Sequence, residues 1–231
     1  QADLRTPAWS PSASKIAFVS NTGQMFVLNL SNKKLTELKT PPGKADFPAW
    51  YPDESKISFV LFTYQEGEDS DLWEINLENK KSPGSKKLFA STKMESYPSW
   101  SSDGNKMVYT LFSRDDLNQV VEDLWIWDQQ ARIHLPLIES KSQNFHPDWS
   151  PDGRSLVFAS NISGDYEIWI LQLKPVLLRR ITHNPGYDGD PCWSPDGDRL
   201  AFVSTRSGQK QIWIINRDGS NPRQLTKSPG P

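Results

Sequence analysis

Two acidic stretches hold the densest groups of ligating side chains in this sequence. Glu66, Glu68 and Asp69 lie in one stretch, and Asp115 and Asp116 lie in the other. Carboxylate oxygens are ligands that calcium prefers, but neither stretch matches the twelve-residue loop that makes calcium binding predictable. An acidic surface also attracts a basic partner and speeds its encounter. We therefore expect an acidic rim that faces a partner, and a solvated run of charge on exposed loops is the alternative.

Histidine and cysteine are scarce, and their positions form no recognisable catalytic group. His134, His146 and His183 contain no H-x-x-x-H pair, which a zinc site on one helix needs. No G-x-S-x-G motif is present, so the nucleophile of that hydrolase class is missing. The one cysteine, Cys192, excludes an intrachain disulfide and a Cys-rich zinc site, and we expect a small buried thiol there. The sequence predicts neither an enzyme nor a cofactor, with a bound cation such as calcium left open.

Charge and composition exclude several classes of protein. The 231 residues carry 26 Lys and Arg against 28 Asp and Glu, and this balance argues against a nucleic-acid partner. Ten Trp, ten Phe and six Tyr are too many aromatic residues for a disordered chain. No apolar run reaches the roughly 18 residues that a membrane span needs. The composition therefore indicates a folded protein without a membrane-spanning segment.

Tryptophan recurs at a regular interval, and this recurrence predicts the fold. Five Trp residues each follow a proline by two positions, and a second aromatic residue recurs further along each unit. A period of about 40–50 residues with several short strands is typical of a β-propeller. The first set is Trp9, Trp50, Trp100, Trp149 and Trp193, and the second is Phe26, Trp73, Trp125, Trp169 and Trp213.

Each unit is predicted to contain four strands, A to D. Strand A holds the Pro-x-Trp segment, and a turn of the Ser-Pro-Asp-Gly type, in which Pro presets φ and Gly takes a positive φ, leads to an apolar strand B. Strand C carries the second aromatic residue, and strand D ends in a Leu-Thr type pair. Almost no helix is expected, with 117–125 the best place for one turn. We predict a single all-β propeller domain of five four-stranded blades, with approximate bounds 1–40, 41–90, 91–139, 140–183 and 184–231.

The segment from Asp188 to Ser204 resembles the WSPDG repeat of the TolB-like β-propeller family. It reads Asp-Gly-Asp-Pro-Cys-Trp-Ser-Pro-Asp-Gly-Asp-Arg-Leu-Ala-Phe-Val-Ser. The resemblance covers nearly the whole chain as five tandem units, although Ala13 and Glu54 stand where the turn glycine is expected. Similar repeats occur in periplasmic TolB-like proteins, in propellers that gate serine peptidases, in some polysaccharide lyases and in bacterial sensor domains. The resemblance thus implies the fold and leaves the function open.

The number of blades is a separate expectation. Five complete units favour a closed five-bladed ring. TolB-like rings often have six blades, so a six-bladed parent or a fragment of one is the alternative.

The residues around each strand-A proline predict a binding surface. In a propeller, strand A lines the central channel, and the D-to-A and B-to-C connections emerge on one face. Unlike side chains stand at equivalent positions there, as in a channel mouth adapted to one partner, although a hydrated cap over the channel is the alternative. The residues directly before the proline are Thr6, Phe47, Tyr97, His146 and Asp190, and those three before it are Leu4, Ala45, Glu95, Asn144 and Asp188.

These positions lead to a functional hypothesis. We expect a non-enzymatic module, monomeric and periplasmic or extracellular, that binds a protein or peptide. Phe47 and Tyr97 would anchor the partner, and His146, Asp190, Glu95 and Asp188 would orient it. The location follows from the resemblance and from a chain that begins at Gln1 rather than Met. A ligand-sensing domain of a larger regulator is the first alternative, and a lyase-type enzyme is the second.

Overall fold

The computed structural model describes residues 4–63, 69–78, 84–89, 91 and 93–227. These residues form β-strands and contain no helix. The strands make five four-stranded antiparallel sheets, each with its strands in sequence order, so the predicted all-β fold of five four-stranded blades is confirmed. The chain divides into two compact units, Gln1–Phe112 and Ser113–Pro231.

The first unit contains two complete blades and the start of the third. The first blade has β1 (Leu4–Trp9), β2 (Lys15–Ser20), β3 (Met25–Asn29) and β4 (Leu35–Leu38). The second blade has β5 (Lys44–Trp50), β6 (Lys56–Thr63), β7 (Asp69–Asn76) and β8 (Ser85–Lys87). The third blade begins with β9 (Met94–Trp100) and β10 (Lys106–Arg114).

The second unit completes the third blade and contains two more. The third blade continues with β11 (Val120–Asp128) and β12 (Ile133–Ile138). The fourth blade has β13 (Asn144–Trp149), β14 (Ser155–Ser160), β15 (Glu167–Leu173) and β16 (Val176–Arg180). The fifth blade has β17 (Asp188–Trp193), β18 (Arg199–Ser204), β19 (Gln211–Asn216) and β20 (Arg223–Gln224).

Residues 117–125, where a helical turn was expected, instead complete a hairpin turn and enter β11. The Asp115 carboxylate accepts hydrogen bonds from the backbone N–H groups of Leu117 and Gln119, both at 2.9 Å. The Asn118 N–H also donates to the Asp115 carbonyl oxygen at 2.9 Å. The side chain of Asp115 thus offers the backbone a turn in place of a helix.

The turn after each strand A depends on a serine and on one left-handed residue. In the fourth blade, the Ser150 hydroxyl donates to Asp152 at 2.6 Å and accepts from the Ser155 N–H at 2.9 Å. Gly153 has a φ of 66°, a conformation that glycine adopts without steric cost. Ala13 and Glu54 take the same conformation, with φ of 54° and 58°. The turn therefore persists in the two blades that lack its glycine.

The Leu-Thr ending of strand D joins it to strand C. The Thr226 hydroxyl donates to Gln211 Oε1 at 2.7 Å and accepts from the Ile212 N–H at 2.9 Å. In the fourth blade, the hydroxyl of Thr182 makes the same two contacts, with Glu167 and with the N–H of Ile168. The repeated threonine thus accepts a hydrogen bond from a backbone N–H group of strand C that has no partner in strand D.

Strand-A tryptophans pack one blade against the blade before it. Trp50 Nε1 donates to the Ala8 carbonyl oxygen at 3.0 Å, and Trp100 Nε1 donates to Ser58 Oγ at 2.9 Å. The backbone N–H of Trp193 donates to Asp148 at 3.0 Å. The four tryptophans of the second to fifth blades are 6–9% exposed. Trp9, in the first blade, is 61% exposed.

Trp193→Ala should destabilise the chain by about 3–5 kcal/mol, because it removes a large side chain from the core of the second unit. Trp9→Ala is the matched control and should cost less than about 1 kcal/mol, since its ring is mostly exposed. Chemical denaturation of dilute protein measures both values. Equal losses would contradict the packing role of the repeated tryptophan.

Ala13→Gly should raise the free energy of unfolding by up to about 1 kcal/mol. The gain from relieving a left-handed L-residue, about 1–2 kcal/mol, exceeds the entropic cost of glycine, about 0.5–1 kcal/mol. Ala17→Gly is the control, because Ala17 lies buried in β2 and the same substitution there should destabilise. Denaturation curves of the two variants should therefore shift in opposite directions.

Candidate binding surface

Every strand A is interrupted by a bulge at the residue before its proline. The register of pairing with strand B shifts at this point in all five blades. A bulge re-aims the side chain that it carries and is common next to functional sites. The bulged residues all have a positive φ, at 46° for Thr6, 48° for Phe47, 51° for Tyr97, 50° for His146 and 52° for Asp190.

The conformation of these five residues is strained. A positive φ is uncommon for residues other than glycine. Each such residue costs of order 1–3 kcal/mol, and it persists only where the surrounding structure holds it. In the second to fifth blades, the tryptophan two positions beyond the proline is buried. Strain at one repeated position motivates a functional hypothesis for this position.

In the first unit, two aromatic residues of this set form a pair. The rings of Phe47 and Tyr97 lie 4.4 Å apart at an angle of 67°, and Tyr97 lies 6.5 Å from Phe112. Edge-to-face contacts of this kind stabilise beyond the area they bury. Phe47 and Tyr97 are both half-buried, so part of each ring is accessible to a partner.

Asp46, which the sequence analysis did not single out, positions the neighbouring residues. Its carboxylate accepts hydrogen bonds from the Thr6 hydroxyl at 2.8 Å and from the Phe47 N–H at 3.0 Å. Arg5 forms an ion pair with the same carboxylate at 3.1 Å. Asp46 therefore links the bulges of the first two blades and orients the backbone that carries Phe47.

In the second unit, the two members of the set that lie there, His146 and Asp190, also meet. His146 Nδ1 lies 2.5 Å from Asp190 Oδ1, and both side chains are partly exposed. The hydrogen bond from His146 holds the pKa of Asp190 below its ordinary value, and electrostatic interactions with His146 and Lys210 act in the same direction. The pair therefore holds an imidazole and a carboxylate, both partly exposed, at a fixed relative position in the second unit.

A row of aromatic rings extends from His146 and was missed by the sequence analysis. Phe145 packs edge-on against His146 at 5.1 Å and against Tyr166 at 5.3 Å. Tyr166 lies 5.8 Å from Tyr187, and the ammonium group of Lys210 lies 5.0 Å above the ring of Tyr187. We refer to Phe145, His146, Tyr166 and Tyr187 as the aromatic row. The sequence does contain a feature that could have predicted this row. Tyr166 lies in a B-to-C connection and Tyr187 in a D-to-A connection, and both kinds of connection emerge on the same face of a propeller.

Glu95 and Asp188, which we expected to orient a partner, lie inside the blades. Asp188 is buried and pairs with Arg206 at 2.7 Å. The guanidinium of Arg206 also lies over the rings of Phe202 and Trp213. Glu95 is buried, and after burial itself its charge is the second cause of the raised pKa of Tyr109. Both carboxylates thus hold internal positions rather than accessible ones.

The predicted acidic rim is only partly within the described residues. Glu66 and Glu68 lie outside them, as does the side chain of Asp69. The Asp115 carboxylate is engaged by its own turn, and Asp116 is exposed. The acidic rim therefore stays a prediction. The structure assigns Asp115 a role in stabilising its own turn.

A titratable carboxyl group lies beside the aromatic row. Burial raises the pKa of Glu122 from 4.5 to about 7. Its backbone N–H donates to Ser142 at 3.3 Å, and its carbonyl oxygen accepts from Asn144 at 2.9 Å. The pKa of Tyr166 is raised by burial and then by the charge of Glu122. This carboxyl group therefore changes charge near neutral pH.

The other candidate ligands are dispersed. His183 is exposed, and burial lowers the pKa of His134. Cys192 is exposed by its surface area, yet burial of its sulfur raises the pKa of the thiol to about 11. Among the residues that the structure describes, no three His, Cys, Asp or Glu side chains are grouped closely enough to hold a metal ion.

Residues 60–230 match the family described as the TolB beta propeller domain. The chain belongs to the TolB β-propeller family. The resemblance inferred from the WSPDG repeat is thereby confirmed. No helix among the described residues of this TolB-family chain has the length and apolarity to cross a membrane.

Two curated relatives match this TolB-family chain over less than half of its length. An uncharacterised protein of Agrobacterium fabrum is 27% identical over 99 residues, which are 43% of this chain and 32% of the relative. An uncharacterized peptidase, YuxL of Bacillus subtilis, is 30% identical over 93 residues, which are 38% of this chain and 14% of the relative. The matched segment therefore spans a third or less of either relative.

Solved structures of the same fold cover nearly the whole chain. A protein assigned as TolB from Agrobacterium tumefaciens has a TM-score of 0.81 at 22% identity, covering 97% of this chain and 81% of that one. TolB from Acinetobacter baumannii has a TM-score of 0.74 at 17% identity, with 96% and 52% covered. An oligogalacturonate lyase in complex with manganese has a TM-score of 0.68 at 16% identity, with 96% and 65% covered. At these identities the likeness shows the fold alone.

Glu122→Gln should change how stability depends on pH. The unfolded chain loses this proton near pH 4.5 and the folded chain near pH 7, so the stability that Glu122 contributes below pH 4.5 is lost as the pH rises to 7. The amide variant lacks this loss. After a discount for partial exposure, we expect the variant to gain about 1–2 kcal/mol over wild type between pH 4 and pH 8.

The control is Glu139→Gln, which makes the same change at an exposed position of the second unit. Its free energy of unfolding should run parallel to that of wild type across the whole pH range. Chemical denaturation at intervals between pH 4 and pH 8 measures all three proteins. A Glu122→Gln profile that also runs parallel to wild type would contradict the raised pKa.

Proposed function

We propose that this chain is a non-enzymatic binding module that holds a protein or peptide partner on its loop face. The observation that carries the proposal is the strained residue before each strand-A proline. Five unlike side chains occupy this one repeated position, each on a bulge that re-aims it. A purely structural repeat would favour one residue type at such a position, and glycine would avoid the strain. The variety of side chains favours recognition of a particular partner.

The accessible groups suit a protein surface. Phe47, Tyr97 and the aromatic row offer rings that are held by ring contacts and only half-buried. Aromatic side chains are frequent among the few residues that dominate binding energy, and rings already fixed lose little entropy on binding. Asp190 adds a carboxylate for a cation, and Lys210 adds an ammonium group for an anion. We infer a partner segment with apolar or aromatic side chains and at least one charged group.

We place this module outside the cytoplasm, in the periplasm or the extracellular space, on the strength of its membership of the TolB β-propeller family. A ligand-sensing role within a longer protein is the second candidate. The specific observation in its favour is that the matched segment spans only 32% and 14% of the two curated relatives. Fold likeness to a lyase does not transfer its chemistry, because such a site is made by particular residues.

The test captures partners on the immobilised chain and then measures affinity. Wild type, Phe47→Ala/Tyr97→Ala and Tyr166→Ala/Tyr187→Ala are incubated with extract of the organism that encodes the chain. Bound proteins are identified by mass spectrometry, and titration calorimetry with the purified partner gives dissociation constants. Each double variant should weaken binding by at least about 30-fold, as expected when anchoring aromatic residues are truncated.

The control is Leu135→Ala/Val176→Ala, which removes two exposed apolar side chains from the D strands β12 and β16. It should bind the partner as tightly as wild type. Circular dichroism checks that all variants are folded. A partner that is retained equally by all four proteins would contradict binding through the loop face, and the absence of any specific partner would favour the ligand-sensing role.

A further inference from the structure

The outer strand of the fourth blade, β16, exposes apolar side chains on both of its faces. Val176, Leu177 and Leu178 follow one another along this strand and are 78%, 55% and 38% exposed. The fourth blade lies within the second compact unit, and so do the strands of neighbouring blades that contact it, β11 and β17. The exposure of β16 is therefore a property of this blade among neighbours of its own unit.

The direction of the backbone groups of β16 follows from the hydrogen bonds at its two ends. β16 pairs regularly with β15 over all five of its residues. At the end of β15, the Leu173 N–H donates to the Arg154 carbonyl oxygen at 3.0 Å and so points away from β16. Directly after β16, the Ile181 N–H donates to the carbonyl oxygen of Ile168 in β15 at 2.8 Å. Hydrogen-bonded and non-hydrogen-bonded pairs alternate along an antiparallel ladder, so every second residue of β16 directs its backbone groups away from the sheet.

Three residues of β16 direct both their N–H and their C=O groups outward. These are Val176, Leu178 and Arg180, whereas Leu177 and Arg179 bond to β15. A row of outward N–H and C=O groups on an edge strand is a template for pairing with a further strand. An extended peptide that adds there would continue the ladder of the fourth blade.

The outer strands of the other blades carry features that oppose such pairing. β8 and β20 have only three and two residues. β12 contains Pro136, and its pairing with β11 is interrupted by a shift of register. β4 contains an exposed carboxylate, Glu37. Short length, proline, bulges and charge are the usual protection of a sheet edge, and of these β16 has only charge, at Arg179 and Arg180.

The charge on β16 is positive, and one of its two arginines is available to a partner. Arg180 is already paired with the buried carboxylate of Glu167. The Arg179 guanidinium instead donates to the backbone carbonyl oxygens of Arg217 and Asp218, at 2.6 and 2.9 Å, and the Asp218 carboxylate is engaged in its own turn. The exposed guanidinium of Arg179 therefore favours a carboxylate on an added strand.

We propose that a partner protein adds an extended segment, an acidic residue followed by two apolar residues, to β16 as a fifth, antiparallel strand of the fourth blade. The outward groups of Val176, Leu178 and Arg180 would bond its backbone. Leu177 and Arg179 would stand in non-hydrogen-bonded pairs, where opposite side chains approach most closely. In the antiparallel direction, the acidic residue lies opposite Arg179 and the second apolar residue opposite Leu177.

The positions of the arginines favour this occupant over a second copy of the chain. Antiparallel pairing of two β16 strands about Leu178 would place Arg179 of each copy opposite Leu177 of the other, where no carboxylate meets its charge. The proposal is independent of the proposed function, because Phe47, Tyr97 and the aromatic row all lie outside β16.

The first test measures the binding of a labelled peptide by fluorescence anisotropy. The peptide is Thr-Glu-Val-Val-Val-Thr with blocked ends. Leu178→Pro removes an outward N–H and no hydrogen bond to β15, a position where an edge strand tolerates proline. Leu178→Ala is the matched control, because it shortens the same side chain and keeps the N–H. The proline variant should bind at least about 10-fold more weakly than wild type, and the alanine variant within about 3-fold of it.

The second test changes the peptide and leaves the protein as it is. N-methylation of the first valine removes the N–H that would donate to the Leu178 carbonyl oxygen, and it should weaken binding at least about 10-fold. N-methylation of the second valine is the control, because that N–H would point to solvent. Its affinity should stay within about 3-fold of the unmodified peptide.

Arg179→Glu tests the selection for charge. It should weaken binding of the glutamate peptide by about 3-fold or more, and it should strengthen binding of the same peptide with lysine in place of glutamate. Circular dichroism and thermal melting check that each variant is folded. Phe47→Ala/Tyr97→Ala should bind the peptide as wild type does, which separates this edge from the loop face.

Several results would each overturn the proposal. These are no binding to wild type at millimolar peptide, equal losses from proline and alanine, equal losses from the two methylated peptides, or an unchanged preference for glutamate in Arg179→Glu. Loss of binding in Phe47→Ala/Tyr97→Ala would place the peptide on the loop face instead. Sedimentation that finds a dimer in wild type and one chain in Leu178→Pro would assign the edge to a second copy.

Discussion

The packing of the strand-A tryptophans of the second to fifth blades on the preceding blade is the interaction on which the rest of this structure depends. Trp50 and Trp193 show its two parts, a ring buried in an apolar cluster and a hydrogen bond to the neighbouring blade. An isolated four-stranded sheet of this size has two apolar faces and cannot bury either by itself. Repetition solves this problem, because every blade buries one face of the next one.

The same Pro-x-Trp segment also creates the candidate binding surface. Proline cannot donate to the ladder, so strand A breaks its register there and the preceding residue enters the left-handed region. Burial of the tryptophan two positions later stabilises this strained backbone from one side. One short motif therefore contributes a tryptophan to the core. The bulge directly before its proline orients Phe47, Tyr97 or His146 differently. This coupling lets the exposed residue vary while the fold persists.

The sequence predicted the features that recur and missed those that depend on contacts between loops. Trp spacing and the Ser-Pro-Asp-Gly turns gave five four-stranded blades, and Ala13 and Glu54 kept the turn without its glycine because local hydrogen bonds outweigh the strain. Comparing equivalent positions also identified His146 and Asp190, which the structure brings together. Phe145 was overlooked because strict alternation assigns it to the other face, whereas the bulge places it against His146 and Tyr166. Burial of Glu95 and Asp188 was equally invisible, since it depends on neighbours distant in sequence.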